Sequence, residues 1–186
     1  MNISGAGVSE FIKVEIVDPQ KFINLDIGCG ENKRLNYIGM DKRPLEGVDI
    51  VHDLEVFPYP LEDGVCHTVV GSHIVEHIKP WLMIDFMNEL WRILRVGGQI
   101  AFSLPYGVGP GFVQDPTHCN PCNEITWEYF DPNCHMWNIY KPKPFQIDMN
   151  TYQVGGFMEV LLMKITEEEG KIRNQNYIDK CLKAQV

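Results

Sequence analysis

The sequence predicts an α/β fold built on a mostly parallel sheet, and three observations carry that expectation. Short apolar runs recur along the first half of the chain, each ending in glycine or a polar residue. Between Pro80 and Arg95 the apolar residues adopt helical spacing instead. Strand-like and helix-like segments then alternate, the pattern of parallel strands joined by crossovers. The chain has 186 residues, of which 45% are hydrophobic, enough for one well-buried domain. A single domain over residues 1–186 is expected, with 1–20 as an N-terminal extension, 106–144 as an insertion after the fifth strand and 167–186 as a peripheral tail.

In chain order, Phe22 to Ile27 reads as a buried strand running into Gly28-Cys29-Gly30. Tyr37 to Met40 reads as a second, ending at Asp41, and Val48 to Leu54 as a third, closing on His52 and Asp53. Pro58 and Pro60 break the chain before the β-branched run Cys66 to His73, a fourth strand whose end delivers Ser72 and His73. Met83, Met87, Leu90 and Leu94, widened by Ile84, Trp91 and Ile93, form the apolar face of a crossover helix. Val96-Gly97-Gly98 is expected to end that helix, and Gln99 to Leu104 to form a fifth strand stopped by Pro105.

Chemistry enters at the strand ends. Two closely spaced glycines after a strand let the backbone turn sharply and approach a ligand, and a carboxylate ending the next strand can accept both hydroxyls of a ribose. Gly28, Gly30 and Asp41 have this arrangement, a nucleotide-cofactor signature. The formal net charge of -9 argues against gripping phosphate backbones, so bulk nucleic acid is not an expected partner. No stretch has the uninterrupted apolar length of a signal peptide or membrane span, so a cytoplasmic protein with no membrane partner is expected. Six cysteines then read as reduced thiols or metal ligands, not as a disulfide framework.

Several segments in this order resemble class I S-adenosylmethionine-dependent methyltransferases, in particular the small type 11 methyltransferases. They are Leu25-Asp26-Ile27-Gly28-Cys29-Gly30, Gly39-Met40-Asp41, His52-Asp53-Leu54, Ser72-His73-Ile74-Val75-Glu76-His77-Ile78 and Glu89-Leu90-Trp91-Arg92-Ile93-Leu94-Arg95-Val96-Gly97-Gly98. The resemblance implies a Rossmann-like, doubly wound, seven-stranded sheet, its last strands near Phe145 to Asn150 and Gly156 to Thr166 with Gly155-Gly156 between them. It implies S-adenosyl-L-methionine as cofactor. Asp26, Gly28 and Gly30 would line its methionine end, Asp41 would bind its ribose, Asp53 and Leu54 would flank its adenine, Ser72 and His73 would close the site beside the sulfonium, and Cys29 and Lys42 are further cofactor-binding positions. Asp53 has a plainer reading as a turn cap.

The chain departs from the family pattern in two places. Asn32 stands where a third glycine is usual, and Gly30 and Asp41 are eleven positions apart, too close for a full crossover helix. A shortened or absent first helix is expected. A short-chain dehydrogenase or epimerase fits less well, because Lys33 replaces its third glycine and no Tyr-x-x-x-Lys pair occurs.

The insertion should hold acceptor specificity. Gln114-Asp115-Pro116-Thr117-His118 resembles an Asp-Pro-Thr-His element of similar methyltransferases. If the acceptor is a hydroxyl, His118 oriented by Asp115 is the first choice of proton acceptor and His73 the second. The plainer reading of His118 is a loop histidine that hydrogen-bonds backbone and holds the loop's shape, and His77 reads as a helix-start cap or a satisfied, partly buried residue. Cys119, Cys122, Cys134 and His135 have the residue types of a tetrahedral zinc site, although adjacent ligands at 134 and 135 fit one poorly. No metal is assigned on that basis. Trp127, Tyr129, Phe130, Trp137 and Tyr140 read either as a wall for a planar acceptor or as a small core under the insertion. The expected function is methyl transfer to a small-molecule, sugar or peptide acceptor. The alternative is a non-catalytic cofactor-binding or zinc-stabilised interaction module on the same scaffold.

Overall fold

A computed structural model describes residues 22–184. The expected N-terminal extension at 1–20 lies outside them. Seven strands form one sheet: β1 (Ile23–Ile27), β2 (Ile38–Asp41), β3 (Ile50–Val51), β4 (Cys66–Ser72), β5 (Leu94–Pro105), β6 (Phe145–Gln153) and β7 (Phe157–Lys164). Their order is β3-β2-β1-β4-β5-β7-β6. The first five run parallel, and β7 is antiparallel to both β5 and β6. Leu25, Asp26 and Ile27 are buried in succession, which a central parallel strand covered on both faces requires.

One helix crosses between parallel strands. After a 3-10 turn at Pro80–Leu82, α1 (Met83–Ile93) sets Phe86, Met87, Leu90 and Ile93 into the core, each fully buried. The β1–β2, β2–β3 and β3–β4 connections carry no helix, so the expected alternation holds only at α1. Hydrogen bonds do the work of the missing first helix. Arg34 N donates to Asp26 Oδ2 at 2.8 Å, and Gly39 N and Lys33 Nζ both donate to Asp49 Oδ2 at 2.7 Å.

The expected helix stop is also corrected. Leu94 is already extended and fully buried, so Val96-Gly97-Gly98 lies inside β5 and not at a helix end. Gly98 is needed for a different reason: a Cβ there would stand 2.9 Å from the carbonyl oxygens of Arg95 and His67, where the pairing with β4 shifts register. The third strand is shorter than the apolar run suggested, because Asp53 Oδ1 accepts Glu55 N at 3.0 Å and turns the chain. Glu89 and Arg92, inside the helix motif, serve the fold. Buried Glu89 accepts from Tyr59 N at 2.6 Å and from Arg92 Nη2 at 2.6 Å, tying α1 to the segment before β4.

Residues 106–144 contain three short helices, α2 (Pro110–Val113), α3 (Glu124–Glu128) and α4 (Trp137–Tyr140). Trp127 and Phe130 are almost fully buried, and Trp127 packs on Phe102 of β5 with ring centroids 5.6 Å apart. These aromatics extend the sheet's core. Tyr129 and Tyr140 instead line a surface cavity with Trp81. The C-terminal segment is helical: α5 (Glu167–Lys183) starts where Thr166 Oγ1 accepts Glu169 N at 3.1 Å. No helix among the described residues is long and apolar enough to cross a membrane.

Candidate functional site

At the carboxyl ends of β1, β2 and β4 the chain encloses a cavity of about 430 Å³, the size range of small-ligand sites. Gly28 forms its floor. With φ +64° and a virtual Cβ only 2.6 Å from Ile74 Cδ1, this position admits glycine alone without displacing a neighbour. Gly28 N donates to Met40 O at 2.7 Å, which docks the turn on β2.

Asp41 is 5% exposed and holds four donors: Gly30 N at 2.9 Å, Arg43 N at 2.9 Å, Arg43 Nε at 3.1 Å and Arg43 Nη2 at 3.4 Å. Burial raises its pKa, but the hydrogen bonds from Arg43 and Gly30 outweigh burial and hold the carboxyl below the usual range. Lys42, Asp53 and Leu54 line the same cavity. Asp26 is buried beneath the turn and accepts from Arg34 N, while Cys29, also buried, has its thiol pushed up by burial and by the carboxylates of Asp26 and Asp41. Of the residues expected to hold the cofactor, Gly28, Asp41, Lys42, Asp53, Leu54 and His73 line the cavity, whereas Asp26, Cys29 and Gly30 do not. Ser72 ends β4 beside Ser103 and is exposed, but it is not among the cavity's lining residues.

The same cavity is also lined by His73, Ile74, His77, Ile78 and Thr117. His73 adopts a left-handed backbone, φ 53°, just past β4, and its Nδ1 lies 3.2 Å from Glu76 Oε1, off hydrogen-bond geometry. His118 sits behind His77, ring centroids 4.8 Å apart, with its side chain 7% exposed. Its orientation comes from Phe112 O, 2.9 Å from Nδ1, because Asp115 Oδ2 stands 3.8 Å from Nε2. Asp115 instead accepts from Thr117 N at 2.8 Å and Thr117 Oγ1 at 2.7 Å, hydrogen bonds that hold its carboxyl below the usual range.

Glu76, His77, Thr117 and Arg43 were not marked as site residues by sequence reasoning. A signal existed for Glu76: it is a lone charge in the apolar run Ile74-Val75-Glu76-His77-Ile78. The four zinc candidates do not gather. Among the described residues the one group of three or more His, Cys, Asp or Glu with ligand atoms mutually within 4.8 Å is Glu76, His77 and His118. Burial pushes the Cys122 thiol up to about 12 and Cys134 up to about 11.

The strand order, the glycine turn and the acid ending β2 now stand together. Solved structures of the same architecture include a SAM-dependent methyltransferase from Archaeoglobus fulgidus, with TM-score 0.53, 19% identity, and 85% of this chain and 78% of that one covered. Another is the trans-methyltransferase CalH in complex with SAH, with TM-score 0.52, 13% identity, and 77% and 51% covered. The chain has the fold of the class I S-adenosylmethionine-dependent methyltransferases. A probable S-adenosylmethionine-dependent methyltransferase of Mycolicibacterium smegmatis is 29% identical over a match covering 44% of this chain. The matched part is 37% of that relative's length. No protein-family model matches the chain, so its narrower likeness to type 11 methyltransferases rests on the motifs alone.

Proposed function

We propose that this protein is an S-adenosylmethionine-dependent methyltransferase acting on a small-molecule, sugar or peptide acceptor. The observation that carries the reading is a single cavity lined both by Gly28, Asp41, Asp53 and Leu54 and by His73, His77 and Thr117. The first group suits the donor and the second faces an acceptor. The methyltransferase fold and the Mycolicibacterium relative support the same reading.

The residues fit the cofactor on two counts. Gly28 leaves room where a side chain would strike Ile74, and Asp41 is a buried acceptor at the end of β2. Asp41 would accept the ribose hydroxyls, Leu54 would cover a purine face, and Asp26 would fix the turn beneath the methionine end. Bound S-adenosylmethionine would supply a methyl group already activated by positive sulfur, so the chain's own task is alignment and exclusion of water. His73, which borders the cavity, is better placed than His118 to take a proton from an acceptor hydroxyl.

Isothermal titration of the purified protein with S-adenosylmethionine and S-adenosylhomocysteine tests the reading. Saturable binding of both, on the order of micromolar, is expected. A folded sample that binds neither would leave a scaffold without donor chemistry and overturn it.

A further inference from the structure

Glu76 is the most anomalous group in the molecule. Its side chain is fully buried, and neither carboxylate oxygen has a hydrogen-bond partner. A buried carboxylate without a donor is costly, and native structures meet such groups with a proton donor or a cation. What surrounds it here is imidazole: His73 Nδ1 lies 3.2 Å from Oε1, off hydrogen-bond geometry, and a ring nitrogen of His77 and one of His118 lie with a Glu76 oxygen inside a mutual distance of 4.8 Å.

The His77 and His118 rings each have one nitrogen tied to the protein. Phe112 O can only accept, so the 2.9 Å contact at His118 Nδ1 makes that nitrogen the donor, and in the neutral ring Nε2 keeps its lone pair. That lone pair faces two carboxylates, Glu76 Oε1 at 3.9 Å and Asp115 Oδ2 at 3.8 Å, an arrangement that calls for something positive between them. The second ring is fixed similarly. Thr117 Oγ1 gives its only proton to Asp115 Oδ1 at 2.7 Å, so it accepts from His77 Nδ1 at 3.2 Å and leaves His77 Nε2 unprotonated in the neutral ring. Tying one ring nitrogen to a carbonyl or a carboxylate-linked hydroxyl is how proteins orient histidines that ligate through the other.

The two segments that carry the ligands are also joined without any ion. Cys119 N and Asn120 N both donate to Glu76 O, at 2.8 and 3.1 Å, and Asn120 Nδ2 donates to Val75 O at 3.2 Å. The insertion is thereby fixed to the turn after β4, so the donor set is preorganised.

We propose that Glu76, His77 and His118 form a binding site for a divalent first-row transition-metal ion, beside the cavity. Two imidazoles and one carboxylate suit borderline ions such as zinc, cobalt or ferrous iron, and three protein ligands leave positions open. His77 lines the donor cavity, so an ion it holds adjoins that cavity. As a metal site the assignment stands apart from the donor reading; as a place for an acceptor oxygen it rests on that reading.

The test is a Co²⁺ titration of the full chain after chelator treatment, followed by absorption and by thermal unfolding, with Zn²⁺ as competitor. The expected result is saturable uptake of one equivalent, visible bands of nitrogen and oxygen ligands without a thiolate charge-transfer band, a rise in Tm, and displacement by Zn²⁺. Glu76→Gln and His118→Ala should each weaken uptake by at least about 10-fold, and Cys119→Ser should leave it unchanged. Glu76→Gln keeps shape and removes the buried charge, so it decides the matter if His118→Ala fails to fold. No saturable uptake by folded wild-type protein, a thiolate band, or equal uptake by Glu76→Gln would overturn the site. S-adenosylhomocysteine titrated into the same samples reports separately on the donor reading.

Discussion

Arg43 clasps Asp41 from two residues away, its backbone N and Nε at 2.9 and 3.1 Å from Oδ1 and its Nη2 at 3.4 Å from Oδ2. With Gly30 N at 2.9 Å on Oδ2, all four lone-pair directions of the carboxylate are taken. Moving the guanidinium away would free one position on each oxygen, which matches two ribose hydroxyls. The Arg43 side chain is 59% exposed, so such an ion pair costs little to break.

Arg43→Ala should therefore tighten binding of S-adenosylhomocysteine, by a few-fold at most. Asp41→Ala should weaken it by about 1 to 3 kcal/mol, because the ribose contacts go and Gly30 N loses its acceptor. Calorimetry on both variants checks the pair. If Arg43→Ala weakens binding, the guanidinium is a ligand contact and not a competitor.

Asp41 also makes stability depend on acid. Its folded pKa is held below the unfolded value, so the stability it contributes is fully present above the ordinary carboxylate range, about pH 4, and is lost as pH falls through the folded value. The stability difference between wild type and Asp41→Asn, from urea unfolding, should be constant near neutrality and shrink below about pH 4.

Glu89→Ala should destabilise the fold by about 3 kcal/mol, since it leaves Tyr59 N and Arg92 without their buried acceptor. Binding of S-adenosylhomocysteine by the remaining folded protein should not change, because Glu89 is not among the residues lining the donor cavity. Denaturant unfolding and calorimetry separate the two effects.

The strands, and the positions of the glycine turn and Asp41 at their ends, were legible because they obey local rules. Apolar runs ending in Gly28-Cys29-Gly30 or in Asp41 state both a strand and its end. The cluster around Glu76 follows no such rule. Glu76 and His118 are far apart in sequence and are brought together across the insertion, where Cys119 N and Asn120 N bond to Glu76 O. The Asp115 and His118 pairing suggested by their spacing lost to Thr117 and Phe112 O, which supply nearer partners. Val96-Gly97-Gly98 misled for another reason. A glycine pair after a helical pattern usually marks a helix end, whereas Gly98 serves close contact between β5 and β4.

His73 offers the sharpest separation of stability from function. Its φ of 53° places a non-glycine residue in left-handed backbone at the cavity wall, beside Glu76 and edge-on to Phe157. Left-handed backbone costs an L-residue about 1 to 2 kcal/mol, and glycine escapes most of that cost. Compared with each other, His73→Gly and His73→Ala both lose the imidazole and its neighbours, so their difference isolates the backbone. His73→Gly should be the more stable by about 1 kcal/mol, opposite in sign to the usual Gly and Ala order in helices and strands. Both should bind S-adenosylhomocysteine as wild type does, and both should lose on the order of 100-fold or more in turnover of a hydroxyl acceptor if His73 takes its proton. Equal stability of the two variants would show that the surrounding hydrogen bond from His73 N to Ser103 O does not hold this backbone in place. Wild-type turnover in either variant would move the proton acceptor elsewhere in the cavity.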